Sequence, residues 1–125
     1  MASDLNKVIL IGRLTKDPEL NSTSGGSSVV NISLASNRTY VMNDEKKNKV
    51  SFFHCTAWSK IGENIAKHCR KGHRIAIEGR LQQKSWEDDN GIIRYGIEIV
   101  IESFQFLQPK EESNNYIVAS GMESK

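Results

Sequence analysis

The stretch that decides the fold is Leu5-Asn6-Lys7-Val8-Ile9-Leu10-Ile11-Gly12-Arg13-Leu14-Thr15. Val8, Leu10 and Leu14 fall on one face of an extended chain, and the residues between them fall on the other. This alternation with a period of two predicts a long strand that is largely buried near its start. Gly12 favours a bend within the strand. Pro18 ends the ladder because it has no N–H to donate.

The same alternation predicts four more strands, at residues 29–35, 50–58, 74–83 and 92–107. The polar stretch 37–49 predicts a flexible hairpin between the second and third strands. Residues 86–91 end in Asn90-Gly91, which is a strong turn signal and predicts a hairpin loop between the fourth and fifth strands.

A helix interrupts the strands at residues 59–72, where the apolar spacing changes to the helical period. Ser59 is predicted to be its N-cap, and Gly72 is predicted to follow its last turn. Five strands with a helix between the third and fourth follow the order of the OB-fold. An all-β, five-stranded Greek-key barrel is therefore expected over residues 1–108. Residues 109–125 lose the pattern and are predicted to be a short disordered tail.

Charge is divided unequally along the chain. The formal net charge is only +2, but residues 1–85 hold fourteen Lys and Arg against seven Asp and Glu. Residues 86–125 hold three against eight. The basic part is suited to attract a polyanion. No stretch approaches the roughly 20 apolar residues of a membrane helix, and no export signal is recognisable. A cytoplasmic protein is therefore expected.

Four aromatic side chains lie beside basic residues and off the aliphatic faces of the strands: Tyr40, Phe52, Trp58 and Trp86. Any one of them alone could be a core residue, but together they favour a surface on which unpaired bases stack. Stacking does not select among bases, so binding of single-stranded nucleic acid without sequence preference is predicted. The residues predicted to bind phosphates are Lys7, Lys47, Lys49, Lys60, Arg70, Lys71 and Lys84.

The three histidines and both cysteines lie between His54 and His73, which raises the alternatives of a zinc site and a Cys–His nucleophile. His54 and Cys55 are neighbours in a predicted strand and point to opposite faces, so they cannot share one ion. No third group is placed to orient a catalytic base. We therefore expect no metal, no cofactor and no enzymatic activity, with both cysteines as reduced core residues.

Five groups of residues in the right order resemble the bacterial single-stranded DNA-binding protein family over residues 5–108. The groups are residues 6–14 with 17–19, residues 31–35, residues 58–60 with 71–72, residues 77–81, and Trp86 with Gly91, Arg94 and Tyr95. The resemblance implies an OB-fold homotetramer that binds and protects single-stranded DNA during replication, recombination and repair. It implies the same four aromatic positions for base stacking.

The subunit contacts of such a tetramer are predicted at Ile9, Ile11 and Phe53. Ile9 and Ile11 lie on the face of the first strand opposite the core. The resemblance implies replication and repair proteins as further partners. However, family members usually end in an acidic tip closing in Pro-Phe, whereas this sequence ends in Gly121-Met122-Glu123-Ser124-Lys125.

Three alternatives remain open on the sequence. The first is an OB-fold RNA-binding protein or primosome accessory protein. The second is an enzyme that uses Cys55 or Cys69 with a histidine. The third is a structural oligomer whose aromatic residues lie in subunit interfaces.

Overall fold

A computed structural model of the chain describes residues 2–107. Within them the elements are β1 (Val8–Leu14), β2 (Glu19–Ser22), β3 (Ser28–Met42), β4 (Glu45–Trp58), α1 (Ser59–His68), β5 (Arg74–Glu87) and β6 (Ile93–Phe106). The strands pair in the order β1-β5-β6-β4-β3-β2, and β1 also pairs with β3. This closes a barrel of five strands, with β2 attached to β3. The predicted OB-fold is confirmed, whereas the tail at 109–125 lies outside the described residues.

Closure of the barrel depends on β1. Residues 8–13 pair with β5, and Arg13 and Leu14 pair with Ala35 and Leu34 of β3. A methyl group on Gly12 would lie 2.8 Å from the carbonyl oxygen of Ala35. Only glycine allows the two backbones to approach this closely where β1 passes from one partner strand to the other.

The interior is filled by one apolar cluster drawn from every barrel strand and from the helix. Its members are Leu14, Val30, Ile32, Leu34, Cys55, Ala57, Ile65, Cys69, Ile75, Ile77, Ile99 and Ile101. The predicted alternation is therefore confirmed in the barrel. Farther along β5 and β6, apolar residues in the inward positions are no longer buried: Leu81 is 47% exposed and Ile97 is 66% exposed. These two residues lie where β5 and β6 begin to leave the barrel.

Two hairpins extend from the barrel. Strands β3 and β4 pair without interruption from Val29 opposite Trp58 to Met42 opposite Glu45. Their turn, Asn43–Asp44, has φ angles of 53° and 64°, the left-handed pair that a tight two-residue turn requires. The stretch 37–49 was expected to be a flexible hairpin between the second and third predicted strands; it is a hairpin, and it is paired strand apart from this turn. Continuous backbone pairing orders it although its side chains are polar.

The second hairpin joins β5 and β6, which pair as far as Glu87 opposite Ile93. Trp86, predicted to lie in the loop, is therefore within β5, opposite Arg94. Asp88 holds the turn instead, because one of its carboxylate oxygens accepts the N–H groups of Asn90 and Ile92 at 2.9 Å.

Helix α1 begins differently from the prediction. Trp58 occupies the N-cap position without a side-chain hydrogen bond, and Ser59 has a φ of 55°. The serine follows the turn out of β4 and does not cap the helix. Gly72, with a φ of 88°, lies in the turn before β5, three residues beyond the C-cap Cys69. None of the helices in residues 2–107 is long and apolar enough to cross a membrane.

The register of β5 and β6 shifts next to Gly79, which is buried. A methyl group there would overlap the carbonyl oxygen of Val100. We predict that Gly79→Ala lowers the free energy of unfolding by about 1–3 kcal/mol, because the backbone must move to admit it. Gly25→Ala is the control, since its methyl would meet nothing closer than 3.9 Å. Urea denaturation measures both, and equal stability of the two variants would contradict the prediction.

Candidate nucleic-acid interface

The outer face, as we call it, is the solvent side of β4, β6 and the neighbouring parts of β3 and β5. On β4, Cys55 and Ala57 face the core, and the alternate residues Phe52, His54 and Trp58 are exposed on the other side. Thr56 belongs to the same side but is covered and only 5% exposed. Phe52 is 67% exposed and Trp58 is 42% exposed. These two predicted stacking residues therefore share one surface.

Trp86 joins the same face from β5. Gly79 points inwards, and the even-numbered residues that follow it point outwards, including Lys84 and Trp86. The indole ring lies across Gly96 of β6, where an added methyl would be 3.2 Å from a ring carbon. The Lys84 ammonium is 5.6 Å from the ring centre. Trp86 is 47% exposed, so a flat ring with an adjacent cation is presented to solvent.

His54 lies on the outer face between Phe52 and Trp58, and it is not among the predicted site residues. Its Nε2 is 3.9 Å from Oε1 of Glu98 on β6. Partial burial and the nearby Lys84 lower the pKa of His54, and Glu98 opposes this only in part. The imidazole is therefore neutral at pH 7. The alternation that selects Phe52 and Trp58 also selects His54 and could have identified it.

Tyr40 does not share the outer face. Tyr40 pairs with Lys47, and Leu34 pairs with Phe53, which faces inwards. Each residue of the first pair is an even number of positions along its strand from the second pair, so both pairs lie on the same side of the two strands. The Arg38 guanidinium lies 5.2 Å from the centre of the Tyr40 ring. Tyr40 therefore projects from the other side of the β3–β4 hairpin.

Lysines on the β3–β4 hairpin are divided between its two sides. Lys47 and Lys49 lie with Tyr40, whereas Lys46 lies on the outer side with Asn48 and Thr39. Lys46 is not among the predicted phosphate-binding residues. The turn Asn43–Asp44 places Met42 opposite Glu45, and this fixes which side each lysine occupies. Recognition of that two-residue turn would have identified Lys46.

Three of the predicted phosphate-binding residues are held by the protein itself. Lys7 lies 2.7 Å from Glu78 and 3.9 Å from Glu102, and its hydrogen bond to Glu78 raises the pKa of Lys7. Lys47 pairs with Glu45 at 3.0 Å. Arg70 donates through Nη1 to the carbonyl oxygens of Ala66 and Cys69 at 2.8 Å and so closes the end of α1.

The other four predicted phosphate-binding residues are Lys49, Lys60, Lys71 and Lys84. Across residues 2–107, none of their ammonium groups lies within 4.0 Å of a carboxylate. Lys60 is exposed in the first turn of α1, two residues after Trp58. Lys71 is exposed in the turn before β5, where its backbone N–H donates to Asp17 at 2.8 Å. Their charges are available to an external anion.

The residues predicted to contact other subunits fall in two places. Ile9 is 76% exposed and Ile11 is 44% exposed, both on the solvent side of β1. Phe53 lies apart from them, in a hollow that Val8 and Ile97 also line together with Phe52 and His54 of the outer face. The exposed isoleucines and Phe53 therefore form two separate surfaces.

Residues 5–107 match the model of the single-strand binding protein family. Single-stranded DNA-binding protein 2 of Listeria monocytogenes is 41% identical over 118 residues, which cover 90% of this chain and 73% of the relative. Single-stranded DNA-binding protein B of Bacillus subtilis is 39% identical over 105 residues, covering 84% of this chain and 92% of the relative.

Other relatives are longer than this chain. The match to the single-stranded DNA-binding protein of Lactiplantibacillus plantarum is 38% identical and covers 94% of this chain but 58% of the relative. Among solved structures, a Plasmodium falciparum SSB complex with ssDNA has a TM-score of 0.77 and 30% sequence identity. The matched region covers 86% of this chain and 99% of the Plasmodium falciparum chain.

The two cysteines lie in the core of the protein. Both are free thiols, and each has an exposed fraction of 0%. Burial raises the pKa of Cys55 to about 12 and also raises the pKa of Cys69. Within residues 2–107, no group of three His, Cys, Asp or Glu side chains is arranged to hold a metal ion. A thiolate nucleophile at either position is disfavoured because the reactive anion would be buried.

We predict that the folded protein resists alkylation by iodoacetamide at pH 7.5, since neither thiol reaches solvent or ionises readily. The protein in 6 M guanidinium chloride should be alkylated at both cysteines, and mass spectrometry counts the adducts. Rapid modification of one cysteine in the folded protein would contradict the burial described above.

Proposed function

The chain belongs to the single-strand binding protein family, and we propose that its outer face is the surface that binds single-stranded DNA. Its match to this family makes it a single-stranded DNA-binding protein of replication and not an enzyme. Coating of the unpaired strand during recombination and repair belongs to the same activity.

The observation that carries the proposal is three exposed aromatic rings on one side of one sheet. Phe52, Trp58 and Trp86 are each 42–67% exposed, although rings of this size are normally more deeply buried. Bases of an unpaired strand would cover the rings and bury apolar area that now faces water. Each stacked base is worth about 1–3 kcal/mol, whatever its identity. Binding without sequence preference follows from this contact.

The phosphates of the bound strand require cations along its path. We assign this role to Lys84 beside Trp86, to Lys60 beside Trp58, and to Lys46 and Lys49 on the β3–β4 hairpin. Lys71 extends the positive charge towards the turn before β5. The proposed contribution of Lys7, Lys47 and Arg70 is smaller, because each already has a partner within the protein.

Tyr40 takes a separate role in this proposal. Its ring, with Arg38 beside it, lies on the opposite side of the β3–β4 hairpin from Phe52. We assign it to a part of the strand that passes around the hairpin and not to the stack on the outer face.

We further propose that the protein is a cytoplasmic, nucleoid-associated homotetramer. Ile9 and Ile11 on β1 supply an exposed apolar stripe suited to a second copy. Phe53 would serve a second and different contact. Residues 1–108 form the DNA-binding domain in this proposal. The tail at 109–125 is not needed for DNA binding, and replication and repair proteins would be further partners.

We predict that Trp58→Ala and Trp86→Ala each weaken binding to oligodeoxythymidylate by about 1–3 kcal/mol. The salt dependence should hardly change, because ring contacts release few counterions. Lys84→Ala should cost less affinity but should lower the slope of log K against log salt by about 0.7, the value for one phosphate contact on a single strand. Fluorescence titration at several salt concentrations measures both quantities.

Tyr95→Ala is the matched control, since Tyr95 is 68% exposed and lies on the opposite side of the β5–β6 hairpin from Trp86. It should bind like the parent protein. Thermal melting of each variant must first show an intact fold, because Trp58 is more than half buried. If the folded Trp58 and Trp86 variants bind like the parent protein, the outer face is not the DNA-binding surface.

The tetramer prediction is tested at Ile9. Ile9→Asn should dissociate the assembly, since it replaces an exposed isoleucine worth roughly 1.5–3 kcal/mol when buried in a contact. Leu20→Asn, on β2, is the control, because Leu20 is similarly exposed at 53% but lies on another strand. Sedimentation velocity at micromolar concentration distinguishes the species. A monomeric parent protein would refute the proposal.

A further inference from the structure

Two arginines outside the proposed interface face each other across neighbouring strands. Arg13 of β1 is directly opposite Arg74 of β5. Like charges in this position destabilise a sheet. No carboxylate in residues 2–107 lies within 4.0 Å of either guanidinium. The sheet therefore carries an uncompensated pair of positive charges.

The two side chains border a cleft of about 220 Å³. Its other walls are Ile11, Gly12, Ala35 and Asn37. Arg13 donates one hydrogen bond through Nη1 to the carbonyl oxygen of Gly72 at 3.1 Å. A guanidinium has five N–H donors, so most of the donors of the pair are left for a ligand. The cleft thus combines two cations with the Asn37 amide and contains no acid.

The cleft adjoins the proposed interface. Arg13 is opposite Ala35, and Ala35 is opposite Phe52. These three residues therefore form one row across β1, β3 and β4, on the solvent side of the barrel. With strands 4.7–4.9 Å apart, the backbone of Arg13 lies about 10 Å from that of Phe52. A DNA strand with a base stacked on Phe52 needs to cross only β3 to reach the arginine pair.

We propose that the cleft between Arg13 and Arg74 binds a backbone phosphate of the DNA strand where it continues beyond Phe52. The inference rests on the proposed function of the outer face and extends the bound path around the barrel. A phosphate suits the site because guanidinium groups form paired, charge-assisted hydrogen bonds to its oxygens. Its negative charge would also remove the repulsion between the two arginines.

The test compares oligodeoxythymidylates of about 4 and about 16 nucleotides, the range of site sizes for one OB-fold. The variant R13Q/R74Q should bind the short oligomer like the parent protein. Its affinity for the long oligomer should fall roughly tenfold, because charged hydrogen bonds are lost. The salt slope for the long oligomer should fall by about 0.7, the value for one phosphate.

Two further variants sharpen the result. R13K/R74K keeps both charges but loses the paired hydrogen bonds, so it should retain the salt slope while binding the long oligomer less tightly. K67Q removes one charge from the exposed side of α1 and should change neither oligomer's affinity. Trp86→Ala, measured in parallel, should weaken both lengths. Its failure to do so would count against the outer face itself and not against the cleft.

Three results would overturn the inference. The first is an unchanged salt slope for R13Q/R74Q on the long oligomer. The second is an equal loss on both oligomers, which would place the arginines within the stacking region. The third is a change in oligomeric state by sedimentation, because Ile11 lines the cleft and the pair would then belong to a subunit contact.

Discussion

Strand β1 must pair with β5 on one edge and with β3 on the other, and the rest of the structure depends on this double pairing. Residues 8–13 hydrogen-bond to β5, and Arg13 and Leu14 turn to β3. Gly12 makes the passage possible, since any side chain there would meet the backbone of Ala35. Closure joins β1 to β3 at Arg13 and Leu14 and divides the side chains of each barrel strand into an inner and an outer set. Within residues 2–107, β2 pairs only with β3 and so keeps a free edge.

The division into inner and outer sets explains where the aromatic residues can be used. Aliphatic and cysteine side chains fill the interior of the barrel, and none of the buried core residues between 2 and 107 is aromatic. Strands β3 to β6 are longer than the barrel needs, so the excess forms two hairpins with both sides in solvent. Trp86 lies on one of these hairpins, and its ring packs over Gly96 of the paired strand. Large rings can remain exposed here because hydrogen-bonded backbone, and not a core, holds them in place.

Electrostatics follow the same geometry. Many of the basic residues are used internally, as in the pairs Lys7 with Glu78 and Arg80 with Glu102. The cations without such partners are the ones that can act on an external polyanion, and Lys84 is the best placed among them. His54 adds a neutral, titratable group in the middle of the outer face, where Lys84 and Glu98 act on it in opposite directions. Net charge of the chain is thus a poor guide to its binding surface.

The sequence alone predicted five of the six strands, the helix between β4 and β5, the core side of the barrel strands and the outward positions of Phe52 and Trp58, because these follow from local periodicity. It did not predict β2, and it placed Trp86 in a loop, whereas the pairing of β5 with β6 puts this residue on the outer face. Tertiary structure decided the rest. The register across Asn43–Asp44 sets the side of every residue on the β3–β4 hairpin. It places Tyr40 on the opposite side from Phe52, and it places Lys46, and not the predicted Lys47, on the side of the outer face. The partners of Lys7 and Arg70, and the meeting of Arg13 with Arg74, involve residues distant in sequence or contacts at a helix end. Periodicity carries no information about which charges come within reach of one another.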